Sequence, residues 1–267
     1  MEELQIGQVP GLSIVGMVVA GLVSILLPIV LAIIIRKKTK AWIPSLFIGA
    51  GVMIVFALIL ESIVHRIVLR VTGDTITGNL LLYALYGGLA AGVFEEIGRF
   101  IAMKTLMKKH LRKENALMYG VGHGGAEAIL LVGVTMVSNL IVAAMINSGS
   151  IYSMFATMSD AEKELGLSQI SALWTTPSGD FFLSAIERTL AIALQICLSY
   201  LVYRAARGKK PILLITAILL HALFDGVVVI VSKLYNTYIA EAVFGVMVAV
   251  FVALTIILYR KESDTDY

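Results

Sequence analysis

The stretch GLSIVGMVVAGLVSILLPIVLAIII, from Gly11 to Ile35, runs for 25 residues without a charge. A helix rising ~1.5 Å per residue crosses a ~30 Å hydrocarbon core with about 20 residues, so this run alone is long enough to span a bilayer. It lacks the period-two alternation of a transmembrane β-strand, and a barrel would need many segments of roughly ten residues rather than a few long ones. Working outward, further apolar windows lie near 41–64, 79–107, 116–146, 181–203, 211–231 and 237–259. The chain of 267 residues is 59% hydrophobic and 15% charged, with a mean hydropathy of +0.92, which excludes a water-soluble protein. The reading is all-α: a polytopic membrane bundle of about seven transmembrane helices. The third and fourth windows exceed what a bilayer requires and are expected to tilt, bend at glycines or extend beyond it.

Basic residues set the orientation. With the N-terminus outside, the cytoplasmic loops are Arg36–Lys40, Lys104–Lys113, Arg204–Lys210 and the tail from Arg260, which hold 15 of the 21 Lys and Arg residues. The outer side receives Arg66, Arg70, Lys163 and Lys233, and Arg99 and Arg188 fall inside membrane segments. That asymmetry predicts N-terminus out and C-terminus in the cytoplasm. Glu2 and Glu3 stand where a signal peptide would be basic, so the first apolar segment is expected to be retained. The single cysteine, Cys197, sits in an apolar run and supports neither a disulfide framework nor a cysteine metal cluster. In the long outer loop near 147–180, Ser159 with Glu162 three residues on is a capping-box pattern that fits a short interfacial helix, with a flexible lid or plain connector placed ahead of it. No repeat or low-complexity tract is present, and the basic clusters flank membrane segments, so the lipid bilayer is the expected partner and nucleic acid is not.

Each ionisable group at the centre of a membrane helix costs at least ~2.5–3.5 kcal/mol on insertion scales, so each needs a reason. The third segment carries Glu95, Glu96 and Arg99, the fourth His123 and Glu127, the sixth His221 and Asp225. Counting about 1.5 Å per residue from the cytoplasmic ends puts Glu95 and Glu96 at roughly 14–18 Å, Arg99 at roughly 8–12 Å, His123 at about 10 Å, Glu127 at about 16 Å, His221 at about 15 Å and Asp225 at about 21 Å. All seven share one layer on the cytoplasmic side of the midplane. His123 with Glu127, His221 with Asp225 and Glu95 with Arg99 are spaced i, i+4, and Glu96 with Arg99 i, i+3, so each set projects from one helix face. Gly87, Gly88 and Gly92, and Gly120, Gly122, Gly124 and Gly125, leave small faces beside them for close helix packing or for a ligand to pass.

Two adjacent carboxylates near an arginine and two histidines, in a low-dielectric pocket, are the parts of a water-activating hydrolase. One glutamate removes a proton from water, and the histidines stabilise the tetrahedral oxyanion. No Ser, Thr or Cys nucleophile stands beside a histidine in the layer, which disfavours an acyl-enzyme. Zinc is the close competitor: His123, Glu127, His221 and Glu95 are ligand types it accepts, although the HExxH signature is missing. Glutamate-based water activation, with no cofactor required, is placed ahead of it. A proton-coupled transporter using the same groups as a relay, and a non-catalytic scaffold held by a buried polar network, are the readings from other classes.

Glu95-Glu96-Ile97-Gly98-Arg99, His123-Gly124-Gly125-Ala126-Glu127 and His221-Ala222-Leu223-Phe224-Asp225, in that order on separate membrane helices, resemble the YhfC family of intramembrane proteases, related to the CAAX prenyl endopeptidase and bacteriocin-processing (CPBP) proteases and to the PrsW proteases. The resemblance implies a single protease-like domain over residues 1–267, with its motif helices at about 79–231, in a bacterial cell membrane. It implies a glutamic-type mechanism in which Glu95 activates water and His221 with Asp225 polarises the scissile carbonyl of a membrane protein or peptide. CPBP proteases space the Glu pair and Arg by three residues where this chain has two; the PrsW spacing fits better, with His123 in place of a Phe. That extra histidine among carboxylates is what makes a metalloprotease conceivable.

Other polar groups read as structural. Glu187 and Arg188, as sequence neighbours, are expected to face different directions and meet other helices. Glu61 and Glu241 are expected near the outer helix ends, Ser138 and Asn139 as interhelical hydrogen-bonding groups, and His65 and His110 in loops. Trp42, Trp174 and Tyr259 are expected at the membrane interfaces.

Overall fold

The computed structural model describes residues 6–262. Glu2 and Glu3, which carry the expectation of a retained first segment, lie outside the described residues. Among these residues, seven helices are long and apolar enough to cross a membrane: Gly11–Thr39, Pro44–Thr72, Leu80–Lys104, Lys113–Asn147, Ser178–Arg207, Pro211–Leu234 and Thr237–Lys261. They are called the first to seventh spans. No strand occurs among the described residues.

Local chemistry sets the ends of these helices. Asn79 and Asn236 cap the third and seventh spans by accepting hydrogen bonds from the backbone N–H groups of Leu82 (3.1 Å) and Ile239 (2.9 Å). Pro44 and Pro211 open the second and sixth, where the missing N–H costs nothing. Lys40, at a φ of +58°, turns the chain out of the first span, and Arg36 Nη1 donates to the Lys40 and Ala41 carbonyls at 2.9 and 2.8 Å. Two spans are not α-helical throughout. Met53–Glu61 in the second and Ala128–Gly133 in the fourth are π-helical, and each borders an acidic residue, Glu61 or Glu127.

The chain forms two compact units. One takes residues up to Leu26 together with Ala128–Arg188. Its core gathers Met17, Ala20, Met136, Ile146, Ile151, Phe155 and Phe181, and Val9 exchanges two backbone hydrogen bonds with the Asn147 side chain, at 2.8 and 3.0 Å. The long loop of this unit holds a helix, Asp160–Ile170, whose capping box is formed by Ser159 and Glu162. Its Glu187 and Arg188 side chains bond to each other rather than turning apart: the reach of the guanidinium offsets the angle between neighbours on a helix.

The other unit takes Leu27–Glu127 and the chain from Thr189 on. Met103, Tyr119, Leu198, Tyr200, Phe224 and Phe244 are buried in its core. Glycine sets its tightest helix pairs. A Cβ at Gly122 would overlap the Leu46 carbonyl of the second span, and one at Gly49 the Tyr119 carbonyl of the fourth. Gly88 and Gly92 lie against the Ala222 and Ile218 carbonyls of the sixth span in the same way. These contacts hold the third span to the sixth and the second to the fourth.

The second span runs to Thr72, beyond the expected limit near residue 64. His65 is therefore helical, not in a loop, and Glu61 is a buried residue well inside the span rather than at its end. His110 sits in a short 3-10 turn, stacked on Trp42 at 4.1 Å between ring centroids.

Candidate active site

All seven residues of the charged layer belong to the unit containing the third and sixth spans, and they meet around one carboxylate. Glu95 Oε2 lies 2.7 Å from His123 Nε2, 3.9 Å from Arg99 Nη2 and 4.0 Å from His221 Nε2. Behind it, Glu96 Oε1 is 2.8 Å from His221 Nδ1, and Glu96 Oε2 is 3.0 Å from Arg99 Nη1. Asp225 joins through His221, its Oδ2 standing 3.6 Å from Nε2.

The two adjacent glutamates occupy different environments. The side chains of Glu96 and Arg99 have no exposure, Glu95 keeps 11%, and Asp225 is the open one at 39%. Glu95 therefore faces accessible space, while Glu96 and Arg99 form a closed support. Consecutive residues on a helix diverge by about 100°, which lets the two carboxylates meet different surroundings.

A residue absent from the motifs holds the set together. Gln195, on the fifth span and buried, donates through Nε2 to Glu95 Oε2 at 2.9 Å and to Glu127 Oε2 at 3.2 Å, and its Oε1 accepts from Arg99 Nη2. Glu127 reaches the cluster by this bridge. Gln195 is uncharged and so escapes a search for ionisable groups; its signal is a polar pair, Gln195 with Ser199 at i, i+4, on an apolar helix, where Ser199 Oγ donates to the Gln195 carbonyl at 2.7 Å. Glu61 is the second such residue. Its Oε1 lies 3.0 Å from His65 Nε2, and His65 Nδ1 lies 2.8 Å from Tyr86 Oη.

The donor types suit zinc: two imidazole Nε2 atoms converge on a carboxylate, with further carboxylates beside it. His221 also has the outer carboxylate, Glu96 on Nδ1, that orients metal-binding histidines. His123 lacks that partner, since its Nδ1 is buried without a hydrogen bond. Among the described residues no group of three His, Cys, Asp or Glu side chains is disposed as a ready ligand set. The fit is thus one of donor chemistry.

Comparison with known proteins adds a family. Residues 23–256 match the family described as YhfC intramembrane metalloprotease. The chain is 39% identical over 248 residues to the "Uncharacterized membrane protein YhfC" of Bacillus subtilis (strain 168), covering 91% of this chain and 94% of that relative. No solved structure matches.

Proposed function

Because the chain belongs to the YhfC intramembrane metalloprotease family, we propose that it is an integral membrane endopeptidase hydrolysing a peptide bond of a membrane-associated protein or peptide, with Glu95 as the group that activates water. The observation that carries this reading is the convergence of His123, Gln195, Arg99 and His221 on the one glutamate of the pair that retains exposure. Positive charge in the loops supports an N-terminus outside and a site nearer the cytoplasmic face.

Glu95 takes a proton from water, and the hydroxide adds to the scissile carbonyl carbon. His221, as imidazolium with Nδ1–H held by Glu96, presents Nε2–H to the oxyanion, and Asp225 balances its charge. As the C–N bond breaks, protonated Glu95 returns its proton to the leaving nitrogen, giving a carboxylic acid and an amine, and transfer of the acid's proton to the amine leaves carboxylate and ammonium. Arg99 and Gln195 hold Glu95 in place throughout.

The family description and the two convergent imidazoles favour a second reading. A zinc ion would be held by His123, His221 and Glu95 with Glu127 nearby, and would supply Lewis-acid polarisation and a more acidic water. In that case Glu96 would keep the proton of neutral His221 on Nδ1, leaving the Nε2 lone pair for the ion.

The test uses protein in lipid nanodiscs with a quenched fluorogenic transmembrane peptide. Glu95→Gln should fold, insert and lose activity by about 10²–10⁴-fold, the usual worth of a general base. Undiminished cleavage by that variant sinks the assignment. Elemental analysis and chelation of the same preparation separate the two readings: activity lost to chelator and restored by zinc selects the metal, and indifference selects glutamate alone.

A further inference from the structure

The second span changes character at Glu61. Its first half is clamped, with Gly49 against the Tyr119 carbonyl and the Phe56 ring fitted over Gly98 of the third span. The clamp reaches into the nine π-helical residues Met53–Glu61, a geometry associated with functional sites. Beyond them, Ser62–Thr72 contains no buried residue, and Ile63, Ile67 and Val71 stand exposed. This piece packs mainly on the π-helical stretch that it continues and on the short helix Asp74–Thr77. It ends at Gly73, where a φ of +52° suits glycine.

One side-chain chain joins it to the third span. His65 Nδ1 is 2.8 Å from Tyr86 Oη, with the rings edge-on at 5.3 Å, and His65 Nε2 is 3.0 Å from Glu61 Oε1. Glu61 is buried and closes the π-helical stretch whose Phe56 ring packs on Gly98, between Glu96 and Arg99. The fastening of the outer half of the span therefore ends at the site. A helix with no fully buried residue, adjoining a π-helical segment and tied by a hydrogen-bonded latch, swings more readily than its clamped neighbours.

We propose that Ser62–Thr72 is a strap latched by Glu61, His65 and Tyr86, and that the substrate is a bilayer-embedded helical segment admitted laterally when the strap parts from the third span. The inference rests on the peptidase reading. Exposed aliphatic side chains on the strap suit acyl chains, and the π-helical stretch on which the latch ends packs against Gly98 beside the carboxylates, so parting the strap opens a path from lipid toward them. A membrane helix already lies in that medium. A water-soluble peptide would have to leave water to use the same route.

Two measurements on protein in nanodiscs test this. In hydrogen exchange, Tyr86→Phe removes the latch bond without changing the ring, and Ser62–Thr72 should exchange about three- to fivefold faster while the third and sixth spans are unchanged, as expected for one hydrogen bond in a membrane. In cross-linking, His65→Cys with Tyr86→Cys, on a Cys197→Ser background, is closed with a short reducible thiol linker. Cleavage of the quenched transmembrane peptide should fall at least tenfold when linked and return on reduction. Unchanged exchange in Tyr86→Phe, or equal cleavage by the linked and reduced forms, overturns the strap. Cleavage of a soluble casein peptide in preference to the transmembrane probe overturns the substrate class. If unmodified protein cuts neither probe, the peptidase reading and the substrate class fail together, and the exchange measurement still decides the strap.

Discussion

Gln195 is the residue whose replacement tests the architecture of the site most directly. Gln195→Met keeps the length and flexibility of the side chain and removes three polar contacts: donation to Glu95 and to Glu127, and acceptance from Arg99. Interhelical hydrogen bonds in membranes average about 0.6 kcal/mol and reach about 1.7, so three amount to about 2–5 kcal/mol. The charged partners favour the upper half of that range, since hydrogen bonds to ionised groups are worth more than neutral ones. Glu95 keeps His123 at 2.7 Å and Arg99 keeps Glu96 at 3.0 Å, which moderates the loss. The assay is reversible unfolding in mixed micelles, with the midpoint read by fluorescence, and a double-mutant cycle with Glu127→Gln isolates the bridge. A Gln195→Met protein within about 0.5 kcal/mol of wild type, or a cycle with no coupling, would refute the claim that this amide holds the two carboxylates together.

The remaining predictions concern other levels of the structure. Glu96→Gln should cost about 3 kcal/mol, because it strips a fully buried guanidinium of its nearer ionic partner, and should destabilise more than Glu95→Gln in the same unfolding assay. Gly122→Ala should lower stability by about 1–3 kcal/mol through overlap with the Leu46 carbonyl, while Gly51→Ala, where a methyl meets open space, should be near neutral. In the Asp160–Ile170 helix, Ser159 hydrogen bonds hold the Glu162 carboxyl below its ordinary range. The cap's contribution is thus present above the ordinary carboxylate pKa and lost as pH falls through the depressed value; a nitroxide on Ser168→Cys should gain mobility on acidification, and Ser159→Ala, which leaves only the backbone N–H of residue 159 on the carboxylate, should weaken the pH response.

The motif helices were legible because a membrane makes charge conspicuous. Glu95 with Arg99, His123 with Glu127 and His221 with Asp225 stand out at helical spacing in apolar sequence, and counting residues from the basic ends places them at one height. Glu61 reads as a helix-end residue in the sequence because His65, Arg66 and Arg70 lower the hydropathy and close the apolar window near residue 64. The helix passes through them to Thr72; Arg66 even folds back, Nε donating to the Ser62 carbonyl at 3.2 Å. Gln195 was missed for a different reason. An amide costs less to bury than a charge, so one glutamine carries little signal until its neighbours in space are known. The π-helical segments and the division into two units depend on contacts between distant parts of the chain, which no local pattern reports.

The energetics of the cluster favour the proposed working site over a packing device. A polar network kept only to fix helix positions would be expected to satisfy its members, because each buried unpaired atom costs about 1–3 kcal/mol. Here Glu96 Oε2, Arg99 Nε and Nη1 and His123 Nδ1 are buried without good hydrogen-bond geometry, even though Arg99 and Glu96 form an ion pair. Glu95 and Asp225, by contrast, retain exposure on the accessible side of the cluster. Imperfect satisfaction behind, and carboxylates turned toward accessible space in front, is the arrangement expected where placing Glu95 matters more than stability. The same logic explains the role of glycine in this unit. Gly88 and Gly92 bring the third and sixth spans into backbone contact, so that Glu96 on one helix can reach His221 on the other at 2.8 Å.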